Sequence, residues 1–284
     1  MSNGSKIEAV AFDCYGTLID FGDDAYTRSY GTICAEQGLP LSGDVLYEKW
    51  MEIWRRLVHD GQIAATTDIV PGPNTPGPLS ETVTIPPHPQ HHAANSRVRP
   101  LAGPVPAFRT YREEWTEHFA LCFEELGVQG DPAAGHEHLR RMLADAPAFA
   151  EALRTIEIVG RRLPIALMSN ADDDFLYPVL SRNALTFPVI VSSEEAQAYK
   201  PHVSIFQHLS EQMGVAPENI LYVGDSRLAD VTGSKNAGMH AAWVNRGADN
   251  KGASNWAGGT PHDLTQPDVE VRRLDGLLEF LNLA

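Results

Sequence analysis

The stretch IEAVAFDCYGTLID, residues 7–20, decides how the chain is read. Its first half is short and mostly apolar, ends at Asp13, and is followed at once by the polar, glycine-containing turn CYGT. A run of this length bounded by turn residues fits a buried strand, here one that carries an aspartate at its C-terminal tip. Three more runs repeat the design. Pro164 to Met168 ends at Ser169 and Asn170, Val189 to Val191 ends at Ser192 and Ser193, and Ile220 to Val223 ends at Gly224 and Asp225. A fifth strand is expected at His240 to Val244. Helical patterning occupies Ala148 to Arg161, Ser204 to Met213 and Asp230 to Ala237, the last stopped by Gly238. Strands alternating with helices imply an α/β fold with a parallel, doubly wound sheet, whose ligands lie beyond the carboxyl ends of the strands. The polar residues fall at those ends.

Between about Phe21 and Ala146 the alternation breaks. Tyr26 to Gln37, Asp44 to Leu57 and Phe108 to Leu126 carry aromatic and aliphatic residues at helical spacing, with no convincing strand between them, so a helical insertion is expected. Within it, residues 71–106 hold ten of the 20 prolines, too many for a regular helix or a central strand. That segment is read as a long irregular loop peripheral to the core. A Gly- and Asn-rich loop at 247–263 precedes a terminal helix expected at Leu274 to Leu283.

Composition narrows the function. The 284 residues are 43% hydrophobic and 21% charged, ordinary for a globular protein. The net charge of -15 disfavours a nucleic-acid partner. Three cysteines without CxxC spacing and a start lacking a basic and apolar leader point to a reduced, cytoplasmic protein. No apolar run approaches the roughly 20 residues that span a bilayer, so no membrane partner is expected.

Four polar clusters sit at or just after strand ends: Asp13 with Thr17, Ser169 with Asn170, Lys200 before Pro201, and Asp225 with Asp230. Converging carboxylates raise one another's pKa unless cations neutralise them, so a divalent ion together with Lys200 makes the arrangement reasonable. All-oxygen ligands favour Mg²⁺. The ion and Lys200 would then let an acidic protein hold a phosphate, aided by the turn's N–H groups and the hydroxyls of Thr17 and Ser169.

FDCYGTLID, LMSN, the Lys of AYKPHVSIF and VGDSRLAD resemble, in order and setting, the four motifs of the haloacid dehalogenase-like hydrolase superfamily. The resemblance implies a Rossmann-like core of residues 1–20 and 147–284 with a helical cap at 21–146. It implies a nucleophile at Asp13 that forms a covalent aspartyl intermediate. Mg²⁺ ligands would be the carboxylates of Asp13 and Asp225 and the carbonyl of Tyr15, with Asp230 as a ligand or orienting group. Ser169 would bind the transferring group, Asn170 beside it and Thr17 would contact substrate, Tyr15 would do so through its ring or serve only through its backbone carbonyl, and Lys200 would balance charge.

Two departures bear on the reaction. Phosphatases of this superfamily usually carry a general-acid Asp two residues after the nucleophile, where this chain has Tyr15. DxYGTL resembles the 2-haloacid dehalogenases, yet these typically have Ser, Asn and Tyr where this chain has Asp225, Arg227 and Phe206, and they need no metal. The expected function is therefore a Mg²⁺-dependent hydrolase of a small, anionic, phosphorylated metabolite. A 2-haloacid dehalogenase-like C–X hydrolase is the alternative, and an inactive binding or regulatory protein the second alternative. A homodimer is admitted as a partner state.

Other residues receive plainer readings. His88, His91 and His92 lack metal-site spacing and read as solvated loop residues. Trp50, Trp54 and Trp115 read as interior of the insertion. Cys14, beside carboxylates that raise a thiol's pKa, reads as non-catalytic.

Overall fold

The computed structural model describes residues 7–66, 101–247 and 265–283. Six strands form one parallel sheet: β1 Ala9–Phe12, β2 Ile165–Ser169, β3 Val189–Ser192, β4 Ile220–Gly224, β5 His240–Val244 and β6 Val269–Val271. Their order is β3-β2-β1-β4-β5-β6. The chain steps outward from β1 to β3, then returns to β4 on the other side of β1. That reversal opens a crevice beyond the carboxyl ends of β1 and β4. All five expected strands are present; β6, only three residues long, has too little pattern to be read in advance.

Strand alternation divides the core between the two faces of the sheet. Val10 and Phe12 pack with Leu167, Leu221 and Val223 on one face, whereas Ala9 and Ala11 pack with Met168, Ile220 and Tyr222 on the other. The first face is covered by α5 Ala152–Gly160 and α6 Asp173–Arg182, the second by α8 Val203–Met213. A short α7, Ser193–Ala196, follows β3. Residues 227–237 depart from the expected single helix: one π-helical turn, Arg227–Thr232, leads into α9 Gly233–Asn236. The wide turn begins at Ser226, whose hydroxyl accepts from Ala229 N, and brings Asp230 back over the Ser226 amide. The C-terminal segment is likewise shorter than expected, a 3-10 turn Leu274–Gly276 and α10 Leu277–Phe280.

Between β1 and β2 lies the helical insertion: α1 Asp23–Glu36, α2 Gly43–Thr66, α3 Tyr111–Glu125 and α4 Pro132–Asp145. The sequence reading lacked α4, although Asp131 caps it by accepting from the Ala133 and Ala134 amides and Pro132 occupies its first turn. Thr110 and Glu113 form a reciprocal capping box on α3. The interior is aromatic. Trp50 lies flat on His118 with ring centroids 3.8 Å apart and beside Tyr30 and Phe119. Trp50, Trp54 and Trp115 are all buried. Most of the Pro-rich segment, with His88, His91 and His92, lies outside the described residues.

The insertion is tied to the sheet layer where its chain returns. Val203 N donates to Leu101 O at 2.8 Å and the Tyr199 hydroxyl donates to Arg109 O at 2.7 Å. Asp172, just beyond β2, accepts the amides of Tyr111 (2.9 Å) and Arg112 (3.0 Å) at the start of α3. Arg112 pairs with Asp174 at 3.0 Å, and Arg140 of α4 donates to the Asp174 carbonyl.

Burial pushes the Asp172 carboxyl up to about 6, with Glu194 and Asp174 adding to the rise and the two amides opposing it. An unfolded Asp ionises near 3.9. The folded state thus holds this proton more tightly, and the stability it contributes is present below about pH 4 and lost as pH rises to about 6. Asp172→Asn does not titrate. Thermal melts should therefore show the difference between variant and wild type shifting in the variant's favour between pH 4.5 and 7; a difference independent of pH would contradict this.

Candidate active site

The strand reversal brings Asp13, at the tip of β1, beside Asp225, at the tip of β4. The π-helical turn adds Asp230. One carboxylate oxygen from each lies within 4.8 Å of the others, and all three residues are buried. Lys200 reaches into the same place from the segment after β3. Its ammonium is 2.7 Å from Asp13 Oδ1 and 2.7 Å from Asp230 Oδ1, and it donates to the Tyr222 hydroxyl at 3.0 Å. That hydroxyl in turn donates to Met168 O at 2.9 Å, so the Lys200 head group is fixed from the floor of the sheet.

Burial alone would lower the Lys200 pKa, but the charges of Asp13 and Asp230 hold it well above the ordinary lysine value. The residue stays an ammonium. Asp225 is in the opposite condition. Burial, then the neighbouring charges of Asp13 and Asp230, push its carboxyl well above the ordinary aspartate range. Its carboxylate receives a long 3.5 Å contact from Thr17 Oγ1, and its backbone carbonyl accepts from Trp243 Nε1 at 2.9 Å. Asp230 is also raised by burial, less so because Lys200 and the Ser226 amide favour its charged form.

Were all three carboxylates ionised, one ammonium would leave two negative charges in excess, and the raised Asp225 and Asp230 values reflect that strain. This is the deficit that a divalent cation bound by oxygen ligands would correct, so the donor set fits such an ion. Gly16, at φ +84°, lies directly against the Asp225 carboxylate, where a Cβ would overlap its oxygens. Glycine is required there both for the backbone conformation and for the close approach.

The other sequence candidates fall around this cluster in distinct ways. Thr17 Oγ1 donates to Asp13 Oδ2 at 3.0 Å. Ser169 is buried as the last residue of β2, paired in register with Ser192. Both polar atoms of the Asn170 side chain are engaged by Lys200: Nδ2 donates to Lys200 O at 3.1 Å, and Oδ1 accepts Lys200 N at 2.8 Å. Asn170 therefore holds the lysine's backbone. The Tyr15 hydroxyl is turned toward the insertion, within 3.4 Å of Leu143 O on α4 and Phe175 O on α6. Burial first, then nearby groups including Cys14 and Asp13, raise it well above the ordinary tyrosine value, so it is a poor acid at neutral pH. Cys14 is also raised, by burial and then by Asp13, and stays a thiol.

Tyr222 escaped the sequence reading. Its signal was a single hydroxyl in the apolar run ILYVG, and buried tyrosines find a partner for that group.

The sequence pattern described as haloacid dehalogenase-like hydrolase matches residues 7–238. The chain is 27% identical over 291 residues to the phosphoglycolate phosphatase of Escherichia coli O157:H7, covering 100% of this chain and 96% of that one. To the haloacetate dehalogenase H-2 of Moraxella sp. (strain B) it is 34% identical over 112 residues, 39% of this chain and 48% of that one. Its fold matches that of the HAD-hydrolase YfnB of Bacillus subtilis, solved bound to magnesium, with a TM-score of 0.67 at 20% identity, covering 98% and 99% of the two chains.

The charge excess sets a measurable expectation. Metal-free Asp225→Asn should melt at or above the wild-type temperature, because it removes a buried carboxyl whose ionisation is opposed by burial and by the charges of Asp13 and Asp230. Millimolar MgCl₂ should raise the wild-type melting temperature and leave that of the variant in place, since an ion at a hundred times its Kd stabilises by about 2.7 kcal/mol. A wild type indifferent to divalent ions would refute the assignment.

Proposed function

The chain belongs to the haloacid dehalogenase-like hydrolases, and from this membership and the Asp13, Asp225, Asp230 and Lys200 cluster we propose a Mg²⁺-dependent phosphatase acting on a small anionic phosphate compound. The observation that carries the reading is the excess of buried carboxylate over ammonium, which is hard to reconcile with a site that works without a metal. The likeness along the whole chain to a phosphoglycolate phosphatase supports it. Asp13, Asp225, Asp230 and the Tyr15 carbonyl would hold Mg²⁺, which when bound supplies positive charge to these carboxylates and to the phosphate oxygens.

Asp13 is the nucleophile. An oxygen of its carboxylate bonds to phosphorus as the bond to the leaving oxygen breaks, and water then cleaves the aspartyl phosphate to return the carboxylate and inorganic phosphate. Lys200 pairs with Asp13 at 2.7 Å and offers its charge to the transferring group. Thr17 orients the Asp13 carboxylate, and Ser169 offers its hydroxyl to the phosphoryl oxygens. Asn170 acts through Lys200 by holding its backbone. We divide the chain into a catalytic core of residues 1–20 and 147–284 and a cap of 21–146 that supplies specificity. Among the described residues no helix is long and apolar enough to cross a membrane, and the free, buried cysteines support a reducing, cytoplasmic setting.

The leaving group receives no proton from position 15, because the Tyr15 hydroxyl is raised in pKa and turned toward backbone carbonyls. General acid catalysis contributes about 10²- to 10⁴-fold, so rates should fall steeply as the leaving group becomes more basic. Acyl and aryl phosphates should outrun alkyl phosphates by at least tenfold. The missing acid, with the partial likeness to a haloacetate dehalogenase, favours a second reading in which Asp13 displaces halide from carbon.

Two experiments test these readings. Asp13→Asn should lose on the order of 10³-fold or more in turnover while keeping a cooperative melt; activity within about tenfold would sink the nucleophile. A panel of phosphate compounds and 2-haloacids, run with MgCl₂ and with a chelator, separates the reactions. Phosphate release abolished by chelation supports the phosphatase. Halide release that survives chelation, without phosphate release from any compound, supports the dehalogenase.

A further inference from the structure

The nucleophile's turn is held from outside by a residue that none of the four motifs contains. Arg246 lies two residues beyond β5, and its guanidinium reaches across to the turn that follows Asp13. Nε donates to Gly16 O at 3.2 Å, Nη2 donates to Thr17 O at 2.8 Å, and Nη1 donates to Glu151 Oε1 at 2.7 Å. The guanidinium carbon sits 3.4 Å from the centre of the Phe149 ring. The side chain is 9% exposed and that of Glu151 is 7% exposed. Burial opposes the charge on Glu151, but Arg246 and backbone amides, including Leu274 N, hold its pKa below the ordinary value. Arg273 approaches the second Glu151 oxygen at 3.6 Å.

Inside the turn, the amides of Leu18 and Ile19 donate to Cys14 O and the Gly16 amide donates to Ile19 O. The carbonyls of Gly16 and Thr17 are directed instead to Arg246. These two residues also touch the reacting carboxylates: Thr17 through the hydroxyl bonded to Asp13 Oδ2, Gly16 through its contact with Asp225. A shift of either carbonyl would move the Thr17 hydroxyl off Asp13 and the Gly16 backbone off Asp225. We propose that Arg246, braced by Glu151, is a positioning residue that sets the orientation of Asp13 and its spacing from Asp225.

The planar fork suits this task. Two parallel N–H groups meet two successive carbonyls while a third edge meets the carboxylate, which an ammonium, as a point charge, does not reproduce. Lysine at this position would keep the charge opposite Glu151 and lose the fork. A misplaced nucleophile lowers the rate of the chemical step more than it weakens substrate binding, since displacements of about 1 Å cost on the order of 10²-fold.

The inference rests on Asp13 as the nucleophile, so Asp13→Asn is measured alongside. Steady-state kinetics of Arg246→Lys and Arg246→Ala would use p-nitrophenyl phosphate with MgCl₂, or 2-chloropropionate if the wild type prefers it. Expected are a fall in kcat of about 10²-fold for both variants, KM within threefold of wild type, and partial recovery of Arg246→Ala by added methylguanidinium but not by methylammonium. Arg246→Lys keeps the ion pair and so remains testable if Arg246→Ala does not fold. A kcat for Arg246→Lys within threefold of wild type overturns the proposal, as does a loss that tracks lost melting cooperativity without methylguanidinium recovery. If Asp13→Asn itself retains turnover, the nucleophile reading fails instead, whatever Arg246 does.

Discussion

The Lys200 ammonium, held between Asp13 and Asp230 at 2.7 Å from each, is the interaction on which the rest of the site depends. Without it three carboxylates would share a buried space with no fixed cation. With it, Asp13 and Asp230 share the one ammonium and Asp225 has no direct contact to it. The fold spends considerable structure on placing that one amine. Asn170 clamps the lysine's backbone, Tyr222 meets its head group from a sheet strand, and the Met168 carbonyl fixes Tyr222. These contacts come from β2 and its end and from β4, so the amine's position depends on how those two strands flank β1.

The same crevice explains how the insertion is coupled to the chemistry. Tyr15 sits two residues from Asp13, and its hydroxyl lies against carbonyls of α4 and α6, while its ring lies near Phe175 and Phe21. Asp172, three residues past the end of β2, receives the first amides of α3. Strand-end segments that carry or flank the polar cluster therefore also anchor the helices above it. A residue given over to such an anchor is not available as a proton donor, the feature on which the proposed leaving-group preference rests.

Electrostatics also reconcile a net charge of -15 with the proposed anionic substrate. The overall field repels phosphate, but the local field at the crevice is set by Lys200, by the turn's backbone amides and by whatever cation the surplus carboxylates bind. Arg246 contributes no such charge to the cluster, because Glu151 neutralises it. Its place in the fold is mechanical, with a guanidinium acting on two carbonyls.

Much of this was legible in the sequence, because local pattern carries it. The apolar runs ending in Asp13, Ser169 and Asp225 state both the strand and the polar residue at its tip, and strand–helix alternation states the parallel sheet. The insertion's helices were visible through aromatic spacing, though α4 was not. Its Asp-Pro start was in the sequence, but its apolar face is thin and shared with α3 and α6. What only the tertiary structure decided is everything that depends on two distant segments meeting. The sequence named Asn170 as a substrate contact, yet the fold engages both its polar atoms with the Lys200 backbone. It admitted Tyr15 as a substrate-facing ring, and the fold turns the hydroxyl toward α4 and α6. It contained no sign of Tyr222 under Lys200 or of Arg246 beneath the Asp13 turn, separated by 22 and 229 residues from the atoms they touch. A strand announces its own ends through local hydrophobic periodicity, whereas a hydrogen bond between remote segments exists only once sheet order and register have set them side by side.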